Sequence, residues 1–314
     1  MEKISVIIVS WNAREHLRKC LVSVRETGKV LVAEVIVVDN GSQDGSPEMV
    51  VQQFPEVTLV RAGGNLGFAR ANNLGIKLAS SSYLALVNSD VVVHADCFQL
   101  LAGFLRNHSE VGLVGPKVFG RDGRLQRTCK RLPTFWNTLC QSFALYKVFP
   151  QSPLFSSRDM EYWDQNATAE VEVLAGCFWV ARHEAVLEVG GLDERFFFYS
   201  EDVDWCKRFT DAGWKVVFLS EATTTHFGGA SSANDPFRYG IEQLRSNLAY
   251  WRKHRGLSGQ AVYYMLTVLS HTFRLAARGL KMAFRNNPAV ENANRFKYHA
   301  YCLRWLFIGK QAGN

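Results

Sequence analysis

Four short apolar runs, rich in β-branched residues, mark the opening of the chain: Ile4 to Val9, Val35 to Val38, Val57 to Val60 and Tyr83 to Val87. They are apolar almost throughout rather than alternating. Strands of that kind are covered on both faces, the habit of a parallel sheet sandwiched by helices. Helical patterns lie between them. From Asn12 to Gly28, the residues Leu17, Leu21 and Val24 fall at spacings of four and three and form one buried stripe. A second helix is expected from Gly67 to Ser80, and a third from near Ala95, after the turn Asn88-Ser89-Asp90. The first half therefore reads as α/β, built of β-α-β units with right-handed crossovers. The run Ile4 to Val9 is expected to be a buried strand rather than a secretory signal, because it lacks a charged head, a long apolar core and a small-residue cleavage site.

After a middle rich in Trp, Phe and Pro (Leu132 to Trp163), an apolar segment from Val171 to Ala181 leads into a helix over His183 to Val189, stopped by Gly190-Gly191. The last third is helix-rich and basic, so a boundary is expected near Asp235, dividing a catalytic domain, 1–235, from a helical extension, 236–314. The net charge of +7 attracts anions, and its excess of Lys and Arg lies mainly after Asp235. Gly256 to Phe273 contains no charged residue, yet Ser258, Gln260, Thr267, Ser270 and His271 leave it short of the roughly 20 apolar residues of a membrane span. Flanked by Arg252 to Arg255 and Arg274 to Arg285, it reads as a helix lying on an anionic membrane surface, with packing on the α/β domain as the alternative. Seven cysteines without a C-x-x-C pair suggest neither a disulfide framework nor a cysteine zinc site, and fit a reducing cytosol.

Four polar clusters carry candidate chemistry. The first comprises Ser10-Trp11-Asn12 and Asp39-Asn40-Gly41-Ser42, which follow strands at the edge where ligands of open parallel sheets bind. Asp39 suits a contact to base or ribose; Asn40, Ser42 and Asp44 are equally explained as a turn and a helix cap. The second is Asn88-Ser89-Asp90, where Asp90 can serve a hard divalent cation or merely form the turn. The third, Glu201-Asp202-Val203-Asp204, places Glu201 and Asp204 on one helix face and Asp202 elsewhere; one carboxylate buttresses the helix and another is left as a base. A helix dipole alone explains one acid there, not three. The fourth is His226, which by itself is more readily a structural hydrogen-bonder than a ligand. No G-x-G-x-x-G follows the strands and no phosphate loop occurs, which disfavours nicotinamide, flavin and P-loop sites.

In this order the elements resemble the family 2 inverting glycosyltransferases of the GT-A fold, especially the rhamnosyltransferase-like branch that builds bacterial surface polysaccharides. The resemblance rests on Ser10-Trp-Asn12, Val38-Asp39-Asn40-Gly41-Ser42, Asn65-Leu-Gly67-Phe68-Ala-Arg-Ala-Asn72-Asn73-Leu-Gly75, Asn88-Ser-Asp90, Gly190-Gly191-Leu-Asp193-Glu-Arg-Phe196-Phe197, Glu201-Asp202-Val-Asp204 and His226. It implies a Rossmann-like, mostly parallel sheet between helices. By the same resemblance, a nucleoside-diphosphate sugar binds through Ser10, Asn12, Asp39, Asn40, Ser42, Asn65, Gly67, Asn72 and Ser89. A divalent metal, Mg2+ or Mn2+, is held by Asp90 and His226. Asp202 is the base that deprotonates the acceptor hydroxyl, with Glu201 beside it in the catalytic pair. Asn88 replaces the first acid of the family's D-x-D, which leaves the metal with fewer protein ligands.

The Q-x-x-R-W motif and multiple spans of processive synthases are missing, so a single transfer is expected, of rhamnose or another sugar, from a dTDP- or UDP-linked donor to a glycan or lipid-linked acceptor. The expected place is the cytoplasm, peripheral on the inner face of the membrane, and nucleic acid is not an expected partner. The competing class is a catalytically silent protein of the same fold that only binds nucleotide sugar, membrane or nucleic acid; a base at Asp202 argues against it.

Overall fold

The computed structural model of the protein describes residues 2–228, 236–283 and 290–309. Along the chain run β1 (Ile4–Ser10), α1 (Arg14–Thr27), β2 (Val32–Asp39), α2 (Ser46–Gln53), β3 (Thr58–Arg61), α3 (Phe68–Leu78), β4 (Tyr83–Asn88), β5 (Val91–Val93), α4 (Cys97–Asn107), β6 (Val111–Phe119), β7 (Leu125–Gln126) and β8 (Cys129–Lys130). Then come α5 (Phe135–Ser142), α6 (Leu145–Val148), β9 (Ala169–Glu170), β10 (Val173–Leu174), β11 (Phe178–Arg182), α7 (His183–Val189), α8 (Glu201–Asp211), β12 (Lys215–His226), α9 (Pro236–Ala283) and α10 (Val290–Ile308).

The apolar runs become strands of one sheet, ordered β3-β2-β1-β4-β11-β6-β12-β5, in which β1, β2 and β4 are interior and β3 is a partly exposed edge. β1 to β4 pair in parallel, as their burial on both faces suggested, and β6 pairs in parallel with β12. β11 enters antiparallel between β4 and β6, and β5 lies antiparallel on β12, so the sheet is mixed rather than nearly all parallel. An apolar run signals burial but not direction, which the connection decides.

Ile4, Val6 and Ile8 on one face of β1 pack with Leu17, Leu21 and Val24 of α1, the stripe read from the sequence. Each such fully buried aliphatic contributes about 1.5–3 kcal/mol. On the other face α3 approaches closely: a Cβ on Gly75 would stand 2.4 Å from Ile7 Cγ2, so only glycine fits. All seven cysteines are buried free thiols.

The chain divides into two compact units, Met1–Leu132 with Asp159–Asn234, and Pro133–Arg158 with Asp235–Asn314. The second unit thus includes α5 and α6 from the aromatic middle segment, which the sequence reading had kept with the first domain. Within it, Arg274 and Ser270 of α9 donate to the Gln141 and Ser142 carbonyls that end α5. Those carbonyls have no partner inside their own helix. Ile241, Leu244 and Cys302, with Tyr298 and Trp305, join α9 to α10. Gly256 (φ 66°) is non-helical and kinks α9 into two helical parts.

Candidate active site

In the order β3-β2-β1-β4 the winding reverses between β1 and β4, and open α/β sheets bind ligands outside the carboxyl ends of strands at such a reversal. Register aligns Ser10 with Asp39 and Val9 with Asn88, so the first two polar clusters share that edge.

On the β2 side, Asp39 is buried, and among the described residues its two carboxylate oxygens receive only the Ser42 N–H, at a long 3.3 Å each. Its acceptor capacity is left for stronger donors, such as ribose hydroxyls or a base N–H. Ser10 Oγ is buried and makes no hydrogen bond. Asn12, at φ 49°, accepts from the Gln43 N–H (2.8 Å) and donates its own N–H to Ser42 Oγ (3.0 Å). Asp44 caps two helices, accepting from the N–H groups of Arg14 and Ser46. Asn40 ties down the Asn65–Gly67 loop: Oδ1 accepts from the Leu66 N–H (2.8 Å), and Nδ2 donates to Asn65 Oδ1 and the Gly67 carbonyl. Asn12 with Ser42, and Asn40 with Asn65, are thus two bonded pairs that form a rim beside Asp39.

Gly67 closes this rim against the segment before α8. It sits at φ 83°, and a Cβ there would be 2.5 Å from the Phe197 carbonyl oxygen, which accepts from the Phe68 N–H at 2.8 Å. Asn72 lies inside α3, 2% exposed, with Nδ2 donating to the Phe68 carbonyl. Its neighbour Asn73, to which no role was attached, is a clasp. It donates to the Leu192 carbonyl (2.8 Å) and accepts from the Leu192 N–H (2.9 Å), fixing Gly191–Leu192 on α3.

Asp90 and His226 meet because β5 runs antiparallel to the end of β12, with His226 opposite Val91. His226 Nε2 lies 3.2 Å from Asp90 Oδ1, and both side chains are largely buried. Gln126 Oε1 stands 3.1 Å from His226 Nδ1 and holds the ring on the side away from Asp90. A second-layer side chain on one ring nitrogen, with the other facing the site, is the orientation usual for metal-binding histidines. Burial raises the Asp90 carboxyl pKa, but the His226 hydrogen bond and charge, helped by the His16 charge, carry it below the usual carboxylate value. Two ligands about 2.1 Å from a cation at octahedral angles stand about 3 Å apart. The pair therefore fits two adjacent corners of a Mg2+ or Mn2+ sphere. Among the described residues no group of three His, Cys, Asp or Glu could hold a metal ion, so a cation bound here would need oxygen ligands from outside the protein as well. Ser89 is half-buried in the same turn.

The α8 acids have separated roles. Asp204 is fully buried and pairs with Arg208 at 2.9 Å; Arg208 also donates to the Val189 and Gly191 carbonyls, tying the end of α7 to α8. Glu201 is 6% exposed and its Oε2 has no hydrogen-bond partner; burial, with the Asp202 charge beside it, pushes its carboxyl well above the usual carboxylate range. Asp202 is half-exposed and so within reach of an acceptor, with Oδ1 receiving the Val203 N–H. The helix is entered through Tyr199 (φ 69°) and Ser200 (φ 67°), two successive left-handed residues. Backbone held in that region concentrates at functional sites.

Cys177 connects the two sides. Its carbonyl accepts from the Asn88 N–H at 2.9 Å, and a Cβ on its neighbour Gly176 would be 3.6 Å from Asp202 Cβ. Burial, together with the Asp90 and Asp202 charges, pushes the Cys177 thiol up to about 12. Asp90 and Asp202 therefore flank one short stretch of backbone.

His16 of α1, which the motif reading passed over, belongs here too. Its ring lies 5.5 Å from Phe227, whose N–H donates to the Asp90 carbonyl, and its buried Nδ1 makes no hydrogen bond. A lone histidine inside a helix stripe carries no sequence signal; only the fold brings it to Asp90.

The chain is similar to known proteins in sequence and in fold. An N-acetylglucosaminyl-diphospho-decaprenol L-rhamnosyltransferase of Mycobacterium tuberculosis is 28% identical over 242 residues, covering 74% of this chain and 78% of its own. Glycosyltransferase AglE of Haloferax volcanii is 26% identical over 227 residues, covering 71% and 66%. Among solved structures, the mannosyltransferase PcManGT of Pyrobaculum calidifontis, in complex with GDP-Man and Mn2+, superposes with a TM-score of 0.59 at 14% identity, covering 98% of this chain and 88% of that one. S. aureus TarS 1-349 in complex with UDP gives 0.50 at 16%, covering 98% and 72%. These neighbours carry the GT-A fold. The family model of Glycosyl transferase family 2 matches residues 5–184, more than half the chain and the part that holds β1 to β4 with Asp39 and Asp90, and the chain belongs to that family.

Proposed function

We propose that the protein transfers one sugar, with inversion and without processivity, from a dTDP- or UDP-linked donor to a hydroxyl of a glycan or lipid-linked acceptor in surface-polysaccharide assembly, at the inner face of the cytoplasmic membrane. The observation that carries this reading is the division of labour at one sheet edge: Asp90 and His226 3.2 Å apart on one side of Cys177, and the accessible Asp202 on the other. Asp39, Ser10 and the rim of Asn12, Asn40, Ser42, Asn65 and Gly67 take the nucleoside, with Ser89 beside the diphosphate. Asp90 and His226 hold a divalent cation, which when bound offsets the charge that develops on the leaving diphosphate. Asp202 removes the acceptor proton on the face away from the diphosphate, and that opposite-side attack is what inverts the anomeric carbon. Burial of Glu201 works against a second negative charge beside Asp202.

Rhamnose is the favoured sugar and a polyprenyl-diphosphate-linked sugar the favoured acceptor, supported by the activity named for the mycobacterial relative. A reducing compartment is supported by the seven free, buried thiols. Thermal stabilisation by a panel of nucleotide sugars with and without Mn2+ tests the reading: one donor class should raise the melting temperature with Mn2+ and much less without it. Equal silence across the panel contradicts it.

A further inference from the structure

We infer that the C-terminal part of α9 docks this protein on an anionic phospholipid bilayer, lying along its surface through a stripe of Leu257, Ala261, Met265, Leu269, Phe273 and Leu280. This deepens the membrane-side location proposed above and rests on that reading. The stripe is inside out for a helix on a water-soluble unit. Its residues recur at spacings of four, with a final step of seven, so they share one face. The five large ones are each 55–66% exposed. Several polar residues of the same stretch are turned inward: Thr267 and Ser270 are buried, Ser270 Oγ donating to the Ser142 carbonyl and the Tyr264 hydroxyl to the Leu306 carbonyl, while Ser258 and Thr272 stay exposed. Those inward hydroxyls, with the apolar groups outward, are the reverse of a helix that faces water.

Charge names the occupant. The second unit holds 15 of the 36 Lys and Arg but only 3 of the 29 Asp and Glu, a formal +12 that leaves −5 on the first unit. No acidic residue occurs between Glu242 and Glu291, while Arg252, Lys253 and Arg255 precede the stripe and Lys281 follows it. An apolar face bordered by cations matches acyl chains beneath anionic headgroups. Two copies of a unit at +12 would repel each other through the same face. No helix among the described residues is long and apolar enough to cross a membrane, so the stripe lies on the bilayer.

The test is co-sedimentation of the full chain with vesicles of phosphatidylglycerol and phosphatidylcholine in equal parts, against pure phosphatidylcholine. The anionic vesicles should be bound at least about tenfold more tightly, and high salt should remove most of that preference. Met265→Glu/Leu269→Glu should lower vesicle affinity by at least about tenfold while donor-dependent thermal stabilisation persists. Should that variant fail to fold, Arg252→Glu/Lys281→Glu, confined to exposed charges, should still lose the anionic preference. Undiminished sedimentation of both variants, or equal binding to the two vesicle types, overturns the inference. So does a dimer in solution that Met265→Glu/Leu269→Glu splits, since the stripe then belongs to a second copy. Vesicle binding and donor stabilisation are read separately, so failure of one does not register as failure of the other.

Discussion

Two adjacent carboxyl groups open α8, and the protein gives them opposite surroundings. Glu201 is enclosed and its carboxyl is pushed well above the usual range by burial and by Asp202; its folded-state pKa therefore exceeds its unfolded one. A group raised in this way favours the folded state at low pH and loses that contribution as pH climbs from the ordinary carboxylate value through the raised one. Glu201→Gln should accordingly melt higher than the wild type at pH 8 and show little advantage at pH 4, as calorimetry across that range will show. Asp202→Asn should keep donor binding while turnover falls by about 10²–10⁴-fold, the usual contribution of a positioned base; a donor titration beside a transfer assay separates the two. Asp90→Ala should abolish the Mn2+ dependence of donor binding, read by calorimetric titration with and without the ion, because His226 alone is a poor holder of a hard cation.

These residues were unequally visible in the chain. The Asp90–His226 contact spans 136 positions and depends on the register of β12 against β5, so only the family resemblance paired them. Asn72 and Asn73 look alike as neighbours, but adjacent helix positions point about 100° apart, and only the packed structure shows which one clasps Leu192.

At the scale of elements, Arg208 and Gly67 bear most on the site. Arg208 neutralises the fully buried Asp204 and takes two carbonyls at the end of α7. Arg208→Met removes the cation that pairs with that buried carboxylate, a change that costs about 3–5 kcal/mol, and denaturant unfolding should register the loss. Gly67→Ala adds a Cβ 2.5 Å from the Phe197 oxygen in a backbone region reserved for glycine, at a strain of about 1–3 kcal/mol. It should shift the Asn65–Gly67 rim and weaken donor affinity more than it lowers stability, which titration and melting of the one variant will compare.

Elements were legible where periodicity ran long. α1, α3 and α7 fall where their stripes and glycine stops put them, and β1 to β4 match the apolar runs. α5 and α6 were not seen, because eight and four residues among scattered aromatics give no periodic window. The antiparallel entry of β11 was hidden because Phe178 to Arg182 reads the same in either direction.

The whole molecule divides its charge as it divides its work. The unit with the acidic site carries a net −5, and the unit with the exposed stripe carries +12. The basic tail was plain in the sequence, but not that Pro133–Arg158 would join it, since the contacts of Arg274 with the end of α5 link residues 133 positions apart. The account's central claim is sugar transfer with Asp202 as base. The most direct test follows radiolabelled sugar from the donor that stabilises the protein into a polyprenyl-linked acceptor fraction, comparing wild type with Asp202→Asn at saturating donor. Label should move into the lipid fraction with the wild type and fall by about 10²-fold or more in the variant. Equal transfer by the two proteins would contradict the account.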